Sequence, residues 1–131
     1  MTRTLGNDRG AIRLLTLTRV FVVLAIVGVF AFDGFAVLSN HVSTENDAQT
    51  AAYAASQSWH NDPNLSLAYQ AAQESLAGKH DTVLTQDFSV DNDGTIHLLV
   101  RHTVHTILFG NIGPLKHLAV VTEHGDANSV N

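Results

Sequence analysis

VFVVLAIVGVFAF, Val20–Phe32, is a run of thirteen residues without a charge, and its reading decides the architecture. Widened to Leu14–Leu38, the stretch gains Leu14, Leu15, Leu17, Phe35, Val37 and Leu38 and admits only Arg19 and Asp33 as charged residues. A helix rises about 1.5 Å per residue, so thirteen residues cover only ~20 Å of a hydrocarbon layer roughly 30 Å thick. A membrane span must therefore draw on one or both flanks. Arg19 is placed to snorkel toward one headgroup layer, and Asp33 is expected at the headgroup level of the other.

The flanks differ in charge. Residues 1–19 hold Arg3, Arg9, Arg13 and Arg19 against Asp8 alone, whereas the other 112 residues hold Lys79, Arg101 and Lys116 against eleven acids. A basic flank stays in the cytoplasm. The expected organisation is a cytoplasmic N-terminus at 1–13, a transmembrane helix at 14–38, an extracytoplasmic domain at 39–124 and a flexible polar tail at 125–131. A buried core helix of a soluble protein is disfavoured, because 131 residues offer little surface to cover such a helix on every side. A cleaved signal peptide ending at Ala36 fits the small residues Gly34 and Ala36, but the helical pattern runs on past that point.

Composition narrows the rest. A chain of 131 residues holds one domain plus an appendage. With no cysteine there is no disulfide, no Cys-ligated zinc and no thiol nucleophile. A net charge of −5 argues against nucleic acid held by phosphate contacts.

Beyond the span, Val37–Trp59 contains neither Pro nor Gly, and Ala48, Ala51, Ala52, Ala55 and Trp59 fall on one helical face. Alanine combines high helix propensity with a flat surface for close packing. His60-Asn61-Asp62-Pro63 reads as a stop, with Asp62 expected to cap a second helix that starts at Pro63, carries Leu65, Tyr69, Ala72 and Leu76, and ends near Gly78. The period then changes to two. Leu84, Phe88 and Val90 suggest one strand, Ile96, Leu98, Val100 and Val104 a second, and Leu118 and Val120 a third. Asp91-Asn92-Asp93-Gly94 is a hairpin turn and Ile107–Leu115 a loop. The fold class is α+β: a long N-terminal helix continuing into an Ala-rich stalk, a short second helix and a small antiparallel meander whose apolar face packs on the alanines.

The layout resembles the TadE/TadG-like proteins of tight-adherence (Flp-type) pilus systems. Arg9-Gly10-Ala11 before the span resembles that family's R-G-A, Asp33-Gly34 at its end resembles a D-G, and Asn46–Ala52 resembles its Ala-rich helix. Thr106-Ile107-Leu108-Phe109-Gly110-Asn111-Ile112-Gly113 is similar to the T-x-L-x-G-x-x-G region of some members. The resemblance implies a bitopic protein with a pilin-like outer domain, a minor pilin or assembly factor. Prepilin-peptidase substrates usually carry a glutamate five residues after the cleaved glycine, and counted from Gly10 that position is Leu15. Cleavage at Gly10–Ala11 or at Ala36–Val37 stays open.

Other constellations are bland. On one strand, His97 and His105 would lie roughly 26 Å apart with His102 on the opposite face, too far for one zinc with ligands about 2.1 Å away. A cross-strand His105–His117 pair joined by Glu123 is the remaining metal arrangement; solvated strand histidines are preferred. Asp91–Ile96 imitates part of a calcium loop, but the twelfth position would be Val100, so the bidentate glutamate is missing. No G-x-S-x-G, H-E-x-x-H or phosphate loop occurs. No enzyme activity and no cofactor are expected. Ala25, Gly28, Ala31 and Gly34 form a stripe of small residues beside Asp33, suited to close helix packing in a membrane. With Arg19 and Asp33 they are the candidate interaction residues of the span, for self-association or for a partner subunit. The expected partners are lipid and other subunits of a pilus or secretion apparatus. The alternatives are a generic membrane-anchored binding module and a small exported histidine-dependent metal binder.

Overall fold

The computed structural model describes residues 8–128, with side chains from Leu14 onward. The expected cytoplasmic stretch 1–13 therefore lies outside the described residues up to position 7, and its remaining side chains do as well.

Helix α1, Asp8–Asn61, is one unbroken helix of 54 residues, about 80 Å long. No proline interrupts it before Pro63, and Gly28 and Gly34 are tolerated without a break. Its two halves are chemically different. From Leu14 to Leu38 nearly every apolar side chain is exposed, and the helix is long and apolar enough to cross a membrane by length and composition. From Thr44 onward one face is buried: Ala48, Ala51, Ala52 and Ala55 are fully enclosed, with Trp59 partly buried against the same core.

Helix α2, Leu65–Ser75, packs on that Ala-rich face through Ala68, Ala72 and Leu76. Its N-cap is Asn64, whose side-chain oxygen accepts from the amides of Ser66 at 3.0 Å and Leu67 at 3.3 Å. This corrects the expectation of Asp62 with Pro63 at the first helical position. Pro63 instead stands one residue before the cap, in the link that turns the chain out of α1. Gly78, at φ +81°, follows the last turn.

Four strands form an antiparallel sheet: β1 Asp81–Val83, β2 Ser89–Val90, β3 Ile96–Thr103 and β4 Val120–Ala127. β3 is the centre. β1 and β2 pair with different parts of its one edge, at Val83↔Val100 and Val90↔Ile96, and β4 pairs along its whole other edge. The expected single strand through Leu84, Phe88 and Val90 is thus broken by a 3-10 turn, Thr85–Asp87. The hairpin between β2 and β3 closes at Asp91–Thr95, with Gly94 at φ +83°.

On β3 the even positions Ile96, Leu98 and Val100 face the helices and are buried. On β4 the inward positions are Val121, Glu123 and Gly125. Gly125 is required there by close approach: a Cβ would lie 2.1 Å from the Ala48 carbonyl oxygen and 3.0 Å from Leu98 Cδ1. The tail expected to fray from Gly125 is therefore strand through Ala127, held by its ladder and by contact with α1; positions 129–131 lie outside the described residues.

Candidate functional site

β4 runs in the same direction as α1, along its length. Gly125 touches Ala48, Glu123 pairs with His41 seven residues nearer the N-terminus, and the segment before β4 reaches Asp33. Asp33 is fifteen residues, about 22 Å, along the helix from Ala48. The segment that covers this distance is the Val104–Ala119 excursion between β3 and β4. Its base is closed by the Val104 amide donating to the Ala119 carbonyl at 2.8 Å. Its tip folds down on α1, and its returning limb is a 3-10 helix, Gly113–Ala119. Leu118, expected in a third strand, belongs to that 3-10 helix, which leaves β4 to start at Val120.

Asp33 organises the tip. Its carboxylate is fully enclosed and accepts three consecutive backbone amides, Ile107 at 2.8 Å, Leu108 at 2.7 Å and Phe109 at 3.1 Å. A carboxylate has about four acceptor sites, and these three N–H groups converge on both oxygens. Burial of a charge is costly unless it is hydrogen-bonded, and charge-assisted bonds to amides are among the stronger ones. Asp33, the charged residue at the end of the apolar stretch, is thus shielded by its own chain. Beside it, Phe30 and Phe109 bring their ring centroids to 6.1 Å.

The rest of the tip closes on itself. The Gly110 amide donates to Thr106 Oγ1 at 2.7 Å, the amides of Asn111 and Ile112 donate to the Leu108 carbonyl at 3.0 Å each, and Asn111 Nδ2 donates to the Ile107 carbonyl at 2.8 Å. Every amide from Ile107 to Ile112 thus has an acceptor within the protein.

The other residues singled out in the span stay outward. Arg19, Ala25, Gly28, Ala31 and Gly34 are exposed, and a Cβ on either glycine would meet nothing within 4 Å. The small-residue stripe is therefore exposed, winding around α1 in steps of three residues.

A second polar cluster lies inside the domain. Asp81 is almost wholly buried and hydrogen-bonds His102 Nδ1 at 2.5 Å, while Lys79 pairs with the neighbouring Asp47. Burial foremost, and then the Asp47 carboxyl beside it, push Asp81 above the usual carboxylate range, against the lowering pull of His102. On the outer sheet face His97 bridges Asp126 at 2.6 Å and Asp91 at 3.1 Å, and these hydrogen bonds raise its pKa. Three of the histidines expected to be simply solvated, His41, His97 and His102, are each held by an acid. The His105–His117–Glu123 arrangement does not form: His105 lies beyond β3 with its ring 6.5 Å from His80, and Glu123 is taken by His41. Among the described residues no group of three or more His, Asp or Glu is placed to hold a metal.

The lone acid Asp33 and the Thr106–Gly113 segment both stood out in the sequence, but nothing in it joined them. The usable signal was an apolar Ile-Leu-Phe run, Ile107–Phe109, leading into Gly110. Comparisons with protein-family models, with curated proteins and with solved structures gave no match.

Proposed function

We propose that this protein is a single-pass subunit of the cytoplasmic membrane with a pilin-like exported domain, acting as a minor pilin or assembly factor of a Flp/Tad-type pilus or a related secretion apparatus. The observation that carries this reading is the division of α1. Its first half exposes apolar side chains on all sides for the width of a bilayer, and its second half is the spine on which α2 and the sheet are built. A long helix that is apolar in front and packed under a small sheet behind is the shape such subunits need. The front holds the subunit in the bilayer and the head presents surfaces to neighbours. The arginine-rich N-terminus supports a topology with the basic end in the cytoplasm and the acidic domain outside. The order R-G-A, span, D-G, Ala-rich helix and small sheet supports the TadE/TadG-like assignment. The open stripe Ala25, Gly28, Ala31 and Gly34 is the surface for a partner span or a second copy.

The role is packing, not chemistry. Deleting the gene should remove surface fibres seen by electron microscopy, and the wild-type chain should restore them. Val27→Arg should not restore them, because an arginine at the centre of a span costs about 2.5–3.5 kcal/mol of insertion free energy. Unchanged piliation in the deletion strain would reject the pilus role and leave a membrane-anchored binding module of another kind.

A further inference from the structure

We propose that the Thr106–Leu115 tip is a second membrane contact, seated in the headgroup–acyl boundary of the outer leaflet of the same bilayer that α1 crosses. This rests on the reading of α1 as a span.

Level is the first argument. Asp33 lies nineteen residues beyond Leu14, about 28 Å along the helix, against a hydrocarbon layer roughly 30 Å thick. The exposed apolar surface of α1 does not stop there: Phe35, Leu38 and Val42 continue it on the domain side of Asp33. The tip is tied to Asp33 and to Phe30, so it lies beside this apolar belt and not above it.

Composition is the second. From Thr106 to Leu115 there is no ionisable side chain, in a domain otherwise rich in acids. Ile107 and Ile112 are 54% and 41% exposed, which in water would be unfavourable for a loop free to bury them. Lys116 and His117 follow at once, on the returning limb, where phosphate headgroups would be met.

Backbone satisfaction is the third and most specific. Irregular backbone near lipid is tolerated only when its polar groups are satisfied by protein. Six consecutive amides, Ile107 to Ile112, are so satisfied, three of them by a carboxylate that itself needs cover in an apolar span. Asp33 and the tip therefore solve each other's problem: the charge is enclosed and the loop can enter the interface. The occupant of the exposed Ile107–Ile112 surface is phospholipid.

The test uses the full chain, which has no native cysteine. An environment-sensitive fluorophore is attached to Ile112→Cys, Asp93→Cys or Phe21→Cys, and each protein is reconstituted in phosphatidylethanolamine–phosphatidylglycerol vesicles. Quenching is measured with aqueous iodide and with lipids nitroxide-labelled near the headgroup. The Ile112 probe should be several-fold less quenched by iodide than the Asp93 probe, and strongly quenched by the shallow nitroxide. Iodide quenching at Ile112 equal to that at Asp93, with the Phe21 probe still shielded, overturns the loop contact and leaves the span intact. Shielding of Ile112 from both quenchers also overturns it, since the tip would then be covered by a second copy. Iodide access at Phe21 as well would reject the span itself, and the loop contact with it.

Discussion

Asp33 and Leu108 stand 75 residues apart in the chain and 2.7 Å apart in space, carboxylate oxygen to amide nitrogen. That bond, with its two neighbours, joins the apolar half of α1 to the tip of the Val104–Ala119 excursion. It fixes where that tip sits along α1. A helix emerging alone from a bilayer could swivel at its exit. In the proposed function, the Val104–Ala119 excursion would brace α1 at that point.

Asp33→Ala should release this brace without unfolding the sheet. Leaving buried amides unpaired costs about 1–3 kcal/mol for each group. Loss of roughly 2 kcal/mol would speed amide exchange at Ile107, Leu108 and Phe109 by about 30-fold. Exchange in β3 should stay slow. Hydrogen exchange on detergent-solubilised protein reads both regions at once, and equal acceleration in β3 would mean that Asp33 supports the whole domain.

Gly125→Ala should be among the most damaging small changes in the domain. The added Cβ would meet the Ala48 backbone at 2.1 Å, and backbone on both sides must move. Overpacking of this kind costs about 1–3 kcal/mol or more. A lowered thermal midpoint is expected, whereas Gly113→Ala, whose Cβ meets nothing within 4 Å, should be close to neutral.

Asn64 and Asp62 give a direct comparison of caps. Asn64→Ala removes the acceptor for two amides of α2 and should cost about 1 kcal/mol. Asp62→Ala should cost markedly less. Urea unfolding of the two variants decides it; the reverse order would place the cap at Asp62.

The pH dependence should carry the signature of His97. Hydrogen bonds to Asp126 and then Asp91 raise its pKa in the folded protein. A raised pKa means that the folded state holds the proton more tightly than the unfolded one. The stabilisation is complete below the unfolded value of about 6.5 and is lost as pH rises through the folded value. The cluster is exposed, so the effect should be small and weaken in high salt. His97→Gln should flatten the fall in thermal midpoint above neutrality; an unchanged slope would assign it to other groups.

Much of this architecture was legible in the sequence because it is locally encoded. The uninterrupted run from Leu14 past Ala36 and the spacing of Ala48, Ala51, Ala52 and Ala55 specify one long helix with a changed face. The alternation of Ile96, Leu98 and Val100 specifies the central strand. What was not legible depends on contacts between distant segments. Gly125 reads as a strand breaker in a polar tail, yet its missing side chain is what lets β4 lie on α1. Asp62 was preferred as cap because proline is common at the first helical position, but the chain needs Pro63 to leave α1 and Asn64 to begin α2. The Thr85–Asp87 turn breaks an apparently continuous strand because β1 and β2 must both reach β3 at different points of its edge. The partnership of Asp33 with Ile107–Phe109 has no local pattern at all. It follows from the direction of β4 along the helix.

The central claim is an anchored helix with its α+β head outside the cytoplasm, and one substitution tests it most directly. Asp93 is exposed in the β2–β3 hairpin, far from α1's apolar half, and the chain has no other thiol once Asp93→Cys is made. Intact cells are treated with a membrane-impermeant maleimide and then fractionated. The account predicts labelled, full-length protein in the membrane fraction before lysis. Labelling that appears only after lysis would place the sheet in the cytoplasm and contradict the account.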